Sequence, residues 1–442
     1  MRRAGILLHI SSLPSRGPIG DLGPAAYAFA DWLAEAGCSS WQVLPLNPIG
    51  HALCPYASPS AMAAEPLLIS LDALVEQGLL KPFDAPGGTT TTDEALLHSW
   101  KRPLLEKAAT RVPAEVIDDW ANAHPWGEAW ARFRLPKSPR VELALQALFD
   151  QQWAALRAHC EVRGVELIGD VPIFVSGDGC DATTRPELFD HSVSTGVPPD
   201  YFSKTGQLWG NPHYAWDAHR AEGFTWWKAR MERALEHVHT VRLDHFRGFA
   251  AAWAVPRGAK DAVDGTWRPG PGAELFDALG PMPLIAEDLG VITPDVEALR
   301  QHIGAPGMKI LQFAFGGDGH HAFLPHNFQD NNWVAYTGTH DNETARGWYE
   351  SAPEPARHRF RVMQAVSGHD CAWDLIRMTW SSTADRAIAQ LQDVLDLGSA
   401  ARMNTPGTLD GNWGWRMPHP APRAAAERLR ELGWAFGRLP PG

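Results

Sequence analysis

Four short apolar runs in this chain each lead into a carboxylate. Ile168-Gly169-Asp170, Val241-Arg242-Leu243-Asp244 and Ile285-Ala286-Glu287-Asp288 are three of them. Tyr336-Thr337-Gly338-Thr339-His340-Asp341-Asn342 is the fourth. An acid at the end of a buried strand is unfavourable unless it has a partner or a task. Further strand candidates are Gly5 to His9, Trp41 to Leu44, Met308 to Phe313 and Val334 to Tyr336. Helical patterns alternate with them. Pro24 to Ala36 has Pro at its start and Gly37 just past its end. Val141 to Arg163, Phe224 to Leu235 and Pro294 to Gln301 are others. Strand–helix alternation predicts a parallel sheet. Eight units closed into a (β/α)8 TIM barrel fit 442 residues. A doubly wound sheet is the alternative, but no GxGxxG follows the first strand and no GxxxxGK[ST] loop occurs. In a barrel the C-terminal strand ends open on one face, so the four acids converge there. Any one alone also reads as a helix N-cap.

The expected organisation is a single catalytic barrel over residues 1–442. A helical insertion occupies 72–140, and a loop insertion at 172–216 lies over the active-site face. The chain carries 39 basic and 51 acidic residues, a net charge of −12. That excess argues against a nucleic-acid partner, which needs a basic face. Five cysteines are scattered without a CxxC pair, which fits a reducing compartment. The N-terminal apolar run is too short for a signal peptide, and no apolar stretch reaches the length of a membrane span. The cytoplasm is the expected location. A monomer or weak homodimer is the expected assembly.

A ring of carboxylates suits two chemistries. One is phosphoryl transfer on Mg²⁺, which needs a phosphate cradle that the sequence does not show. The other is glycosyl transfer, which needs one carboxylate as nucleophile and one carboxylic acid as proton donor. The chain has 20 Trp against 6 Tyr. These either fill the core or give flat apolar surfaces on which sugar rings lie. Arg242 stands two residues before Asp244, so both side chains share one side of a strand and can pair. His340-Asp341 in a polar loop suits either a metal or sugar hydroxyls, and the place beside a strand end favours hydroxyl binding. Gln207-Leu208-Trp209-Gly210-Asn211-Pro212 reads as a lid loop with one exposed Trp.

With these motifs the sequence resembles the amylomaltases, or disproportionating enzymes, the 4-alpha-glucanotransferases of the α-amylase superfamily. Gly5-Ile6-Leu7-Leu8-His9 with Ser11-Ser12-Leu13-Pro14 matches the family's opening, and Trp41 to Leu46 its second strand. Pro55-Tyr56 matches its substrate tyrosine loop, Gly169 to Ile173 its first acidic strand, and Gly196 to Asp200 with Gly206 to Pro212 its gating loop. Val241 to Gly248, Ala286 to Gly290 and Thr337 to Asn342 match its three catalytic segments. Asn404-Thr405-Pro406-Gly407 and Asn412-Trp413-Gly414-Trp415-Arg416 match its closing motifs.

The resemblance implies a (β/α)8 barrel with loop insertions and no metal or organic cofactor. It implies a retaining double displacement on α-1,4-glucans, with glucose or another maltodextrin as acceptor. It makes Asp244 the nucleophile, Glu287 the acid/base and Asp341 the transition-state stabiliser. It places Tyr56, Asp170, Arg242 and His340 in the same subsite, and Asp200, Gln207 and Trp209 on the gating loop. For the first step the acid must hold its proton, so Glu287 is expected to titrate above a free Glu. The chain departs from the family pattern at Cys54, Ala64-Glu65 and Thr183, and its 72–140 insertion is short. The alternatives are a hydrolase using the same acids with water as acceptor, and a non-catalytic glucan-binding barrel. The gating loop favours transfer, because a covered site excludes water.

Overall fold

The computed structural model describes residues 2–199 and 203–441. Eight parallel strands form the barrel: β1 (Arg3–Leu7), β2 (Ser40–Gln42), β3 (Glu166–Pro172), β4 (Thr240–Asp244), β5 (Leu284–Ala286), β6 (Gly307–Ile310), β7 (Trp333–Tyr336) and β8 (Arg386–Gln390). Their order around the sheet is β5-β4-β3-β2-β1-β8-β7-β6. Between the terminal strands, Ala286 N–H donates to the Pro306 carbonyl at 2.9 Å, which joins β5 to the start of β6. The barrel expectation is therefore met and the doubly wound alternative falls.

Strand alternation sorts the side chains. Leu7, Ile168, Ile285, Met308, Ile310, Val334, Tyr336 and Ile388 pack together inside the barrel. Leu167, Val241, Leu243 and Ala286 join the outer core under the helices. The same period of two puts Asp170 on the side of Ile168, and Arg242 with Asp244 on the side away from Val241 and Leu243.

The helices α1 (Pro24–Glu35), α2 (Pro139–Val162), α3 (Thr225–His237), α4 (Ala273–Leu279), α5 (Pro294–His302), α6 (Cys371–Ser381) and α7 (Arg423–Ala435) cover the barrel. α1 ends as its sequence predicts, because Gly37 takes the left-handed φ of +69° that a C-terminal turn requires. After β6 the chain makes two 3-10 turns, Leu311–Phe315 and Pro325–Asn327, in place of an α-helix, and the first follows the strand directly. The strand expected over Met308 to Phe313 is thus cut short by that turn.

Short helices between Leu71 and Arg134 pack on α2. Trp120 and Trp130 donate to Asp150 and Glu142 on α2, at 2.6 and 2.9 Å. The loops after β3 and β4 build a second, antiparallel sheet from Val193–Val197, Gln207–Leu208, Ala251–Pro256 and Thr266–Pro269. This sheet includes Gln207–Leu208 of the segment expected to gate the site. Core filling accounts for many of the tryptophans: Trp41, Trp130, Trp153, Trp227 and Trp380 are fully buried, whereas Trp209, Trp267 and Trp434 are exposed. Among the described residues no helix is long and apolar enough to cross a membrane.

Candidate active site

The strand-end acids meet around one arginine. β3 and β4 lie side by side with Asp170 opposite Arg242. Arg242 Nη1 reaches both Asp170 oxygens, at 2.8 and 2.6 Å. The same nitrogen lies 3.0 Å from Asp244 Oδ1. The pairing expected from the two-residue spacing is therefore present. Arg242 and Asp170 are buried while Asp244 is partly open. Burial pushes the Asp170 carboxyl upward against the pull of Arg242. Burial opposes the charge on Arg242, but Asp170 and Asp244 outweigh it and hold the guanidinium charged.

Tyr56 donates its hydroxyl to Asp170 Oδ2 at 2.8 Å. Its ring stacks on His340 at 4.9 Å and tilts against Trp413 at 5.5 Å. Aromatic faces and buried acids thus share one wall, an arrangement suited to a sugar with its apolar face and its hydroxyls.

Glu287 follows β5 and is held by backbone donors. Its Oε2 accepts from His245 N–H at 2.7 Å and its Oε1 from Leu289 N–H at 2.9 Å. His245 sits in the left-handed region at φ +51°, an uncommon place for a residue other than glycine. That conformation turns the chain just after Asp244. Burial pushes the Glu287 carboxyl up to about 8, and the Asp244 charge adds to it against Arg242. The expected elevation is present, and the group holds its proton at neutral pH. Burial also pushes the His245 imidazole down to about 4, so it stays neutral.

Asp341 lies in the loop after β7. Asn404 Nδ2 donates to its Oδ1 at 2.6 Å, and His340 Nε2 stands 3.4 Å from the same oxygen. Arg402 fixes the Asp341 backbone carbonyl at 2.7 Å. Within the loop, Asn342 Oδ1 accepts from both the N–H and the hydroxyl of Thr339.

Gly206 and Gly210 take positive φ of +68° and +84° on either side of Gln207–Trp209. Trp209 donates to Gln207 Oε1 at 3.1 Å and sets its ring edge-on to His245 at 4.8 Å. Asp200 lies outside the described residues.

The structure therefore gathers Asp244, Glu287, Asp341, Tyr56, Asp170, Arg242 and His340, with Gln207 and Trp209 at the rim. Among the described residues no cluster of three or more His, Cys, Asp or Glu is placed to hold a metal ion. Sequence reasoning gave no site role to Asn404, Arg402, Trp413 or His245. Asn404 and Trp413 stand in turn-rich segments more than sixty positions after Asp341, and only the fold brings them back. The signal for His245 was its place directly after a strand-end Asp.

A parallel barrel with an arginine-held Asp and a proton-bearing Glu at its strand ends is a barrel of the glycoside-hydrolase kind. The family model described as 4-alpha-glucanotransferase matches residues 8–140 and 118–421. A 4-alpha-glucanotransferase of Synechocystis sp. is 42% identical, with 95% of this chain and 94% of that protein covered. One of Thermus thermophilus is 41% identical, with 99% of each covered. The amylomaltase from Streptococcus agalactiae, solved in complex with acarbose, superposes with a TM-score of 0.95 at 32% identity over 100% of both chains. The chain belongs to the 4-alpha-glucanotransferase family, transferases built on a glycoside-hydrolase barrel.

Proposed function

We propose that Asp244, Glu287 and Asp341 carry the 4-alpha-glucanotransferase chemistry of this chain on α-1,4-glucans. Asp244 attacks the anomeric carbon while the glycosidic C–O bond breaks. Glu287 gives its proton to the departing oxygen, and a glycosyl-enzyme results. The Glu287 carboxylate then takes the proton from the 4-hydroxyl of glucose or another maltodextrin. That oxygen displaces Asp244, and two inversions give net retention. Asp341 holds hydroxyls of the distorted sugar as positive charge builds at the ring. Tyr56, Asp170, Arg242 and His340 shape the subsite. Gln207, Trp209 and Asp200 serve the gating loop.

The observation that carries this reading is the contrast between two neighbouring acids. Asp244 is ion-paired with Arg242, while Glu287 is pushed up to about 8 by burial. Such a divergence of environments supports Asp244 as nucleophile and Glu287 as acid. Transfer over hydrolysis is supported by Trp209, whose ring packs edge-on against His245 directly after the nucleophile. The acarbose complex of the S. agalactiae relative supports an α-glucan substrate.

The test is incubation of the purified protein with maltotriose. Glucose plus a ladder of longer maltodextrins at constant reducing ends is the expected result. Rising reducing ends with only shorter sugars would make the protein a hydrolase. Five free cysteines support a reducing compartment, the cytoplasm. Exposed apolar side chains such as Val162, Val362, Leu409 and Trp434 lie on separate elements, which supports a monomer or weak homodimer. Light scattering of the purified chain reads that directly.

A further inference from the structure

One side chain holds both ends of the loop that carries His340 and Asp341. Asp393 follows β8 in the short helix Leu391–Val394 and is fully buried. Its Oδ2 accepts from the Thr337 hydroxyl at 2.5 Å. Its Oδ1 accepts from Ala345 N–H at 2.7 Å. Thr337 is the first residue past β7, and Ala345 opens the helix Ala345–Ser351. The catalytic loop, residues 338–344, lies between these two points. Gln390 N–H in turn donates to Thr337 Oγ1 at 3.4 Å. The polarity of the chain is thereby fixed: backbone to hydroxyl to carboxylate.

Asp393 is an unusual residue for this place. The charged groups that act on it are Asp396 and Glu343, both acidic. The nearby cation Arg346 is bonded to Asp396. A buried carboxyl facing other acids breaks the ordinary rule for a core, and such breaks gather at functional sites. Amide donors from the turn after β6 and from β8 reinforce the loop: Gln312 and Gln390 both donate to the Glu343 carbonyl, at 2.7 and 3.2 Å.

We propose that Asp393 is a positioning residue for glycosyl transfer, clamping Thr337 and Ala345 so that Asp341 is held beside the reacting sugar. The inference rests on the role assigned to Asp341 above. An Asn at this position can still accept from Ala345. Its amide group would then donate toward Thr337 and leave the hydroxyl proton without an acceptor.

The experiment is a mutant cycle read with α-maltosyl fluoride as donor and glucose as acceptor. This donor is reactive enough to be followed in slow variants. Asp393→Asn, Thr337→Val and Thr337→Ser are each made alone and together with Asp341→Asn. Asp393→Asn and Thr337→Val should lower kcat by about tenfold or more while KM moves by less than about twofold. Thr337→Ser, which keeps the hydroxyl, should restore the wild-type rate. In the Asp341→Asn background the same substitutions should change kcat by less than about twofold, because the residue they act through is gone. An equal fall in both backgrounds would overturn the proposal, as would a wild-type kcat in variants that merely melt earlier. If Asp393→Asn fails to fold, the Thr337 pair decides alone. A wild-type rate in Asp341→Asn by itself would sink the underlying reading instead, and the two failures are thereby distinct.

Discussion

The backbone N–H of His245 donates to Glu287 Oε2 at 2.7 Å, so the residue that follows Asp244 holds Glu287. The left-handed turn at His245 makes this possible. It couples two strand ends that are neighbours in the sheet, β4 and β5.

The elevated Glu287 sets a pH limb. The proposed glycosylation step needs Glu287 protonated, so kcat/KM on maltotriose should fall as pH rises through about 8. Stability follows the same group. Folding favours its protonated form, so between the ordinary carboxyl range and about 8 stability falls as pH rises. Each unit of that elevation is worth about 1.4 kcal/mol. Glu287→Gln removes the term. It should abolish transfer, and it should raise the melting temperature more at pH 8 than at pH 5. Thermal unfolding at the two pH values checks the sign.

Arg242 bridges Asp170 and Asp244 through one nitrogen. Arg242→Ala leaves the buried Asp170 without its cation and should cost about 3–5 kcal/mol of stability along with activity. Arg242→Lys restores a charge without the planar guanidinium. It should recover part of the stability in denaturant melts while kcat stays at least about tenfold down.

Tyr56→Phe keeps the ring against His340 and Trp413 but deletes the 2.8 Å bond to Asp170. Leaving a buried acceptor short of a partner costs about 1–3 kcal/mol. We expect a loss of roughly tenfold or more in kcat/KM with unchanged circular dichroism.

Trp209→Ala removes the ring that packs edge-on against His245, the residue after Asp244. The ratio of hydrolysis to transfer should rise severalfold, read as reducing ends released per maltotriose consumed. An unchanged ratio would remove the lid from the account of why sugar outcompetes water.

Much of the barrel was legible because its acids end apolar runs. β8 was not among the strands expected. Arg386-Ala-Ile-Ala-Gln390 holds a single β-branched residue and leads into no adjacent acid, so no local signal marks it. Tertiary pairing with β1 and β7 makes it a strand. The missing helix after β6 was equally hidden, since Leu311 to Phe315 is apolar enough to continue a strand and turns instead. At the site, the same-side rule placed Arg242 on Asp244. The link from Asn404 to Asp341 joins residues 63 positions apart, and no periodicity encodes it.

The junction of β5 and β6 has a bearing on how this enzyme ages. The ladder bond from Ala286 to Pro306 joins these strands, and the Asp288 carboxylate, 2.7 Å from Met308 N–H, supplies a second tie from a side chain. Every other neighbouring pair of barrel strands shares a registered ladder. The thinnest seam of the cylinder therefore runs directly beneath Glu287. On warming, amide protons along that seam should exchange with solvent early, and the acid should lose its alignment while most helices remain intact. Catalytic lifetime should then end before the barrel melts, a gap that activity decay read beside circular dichroism on warming would expose.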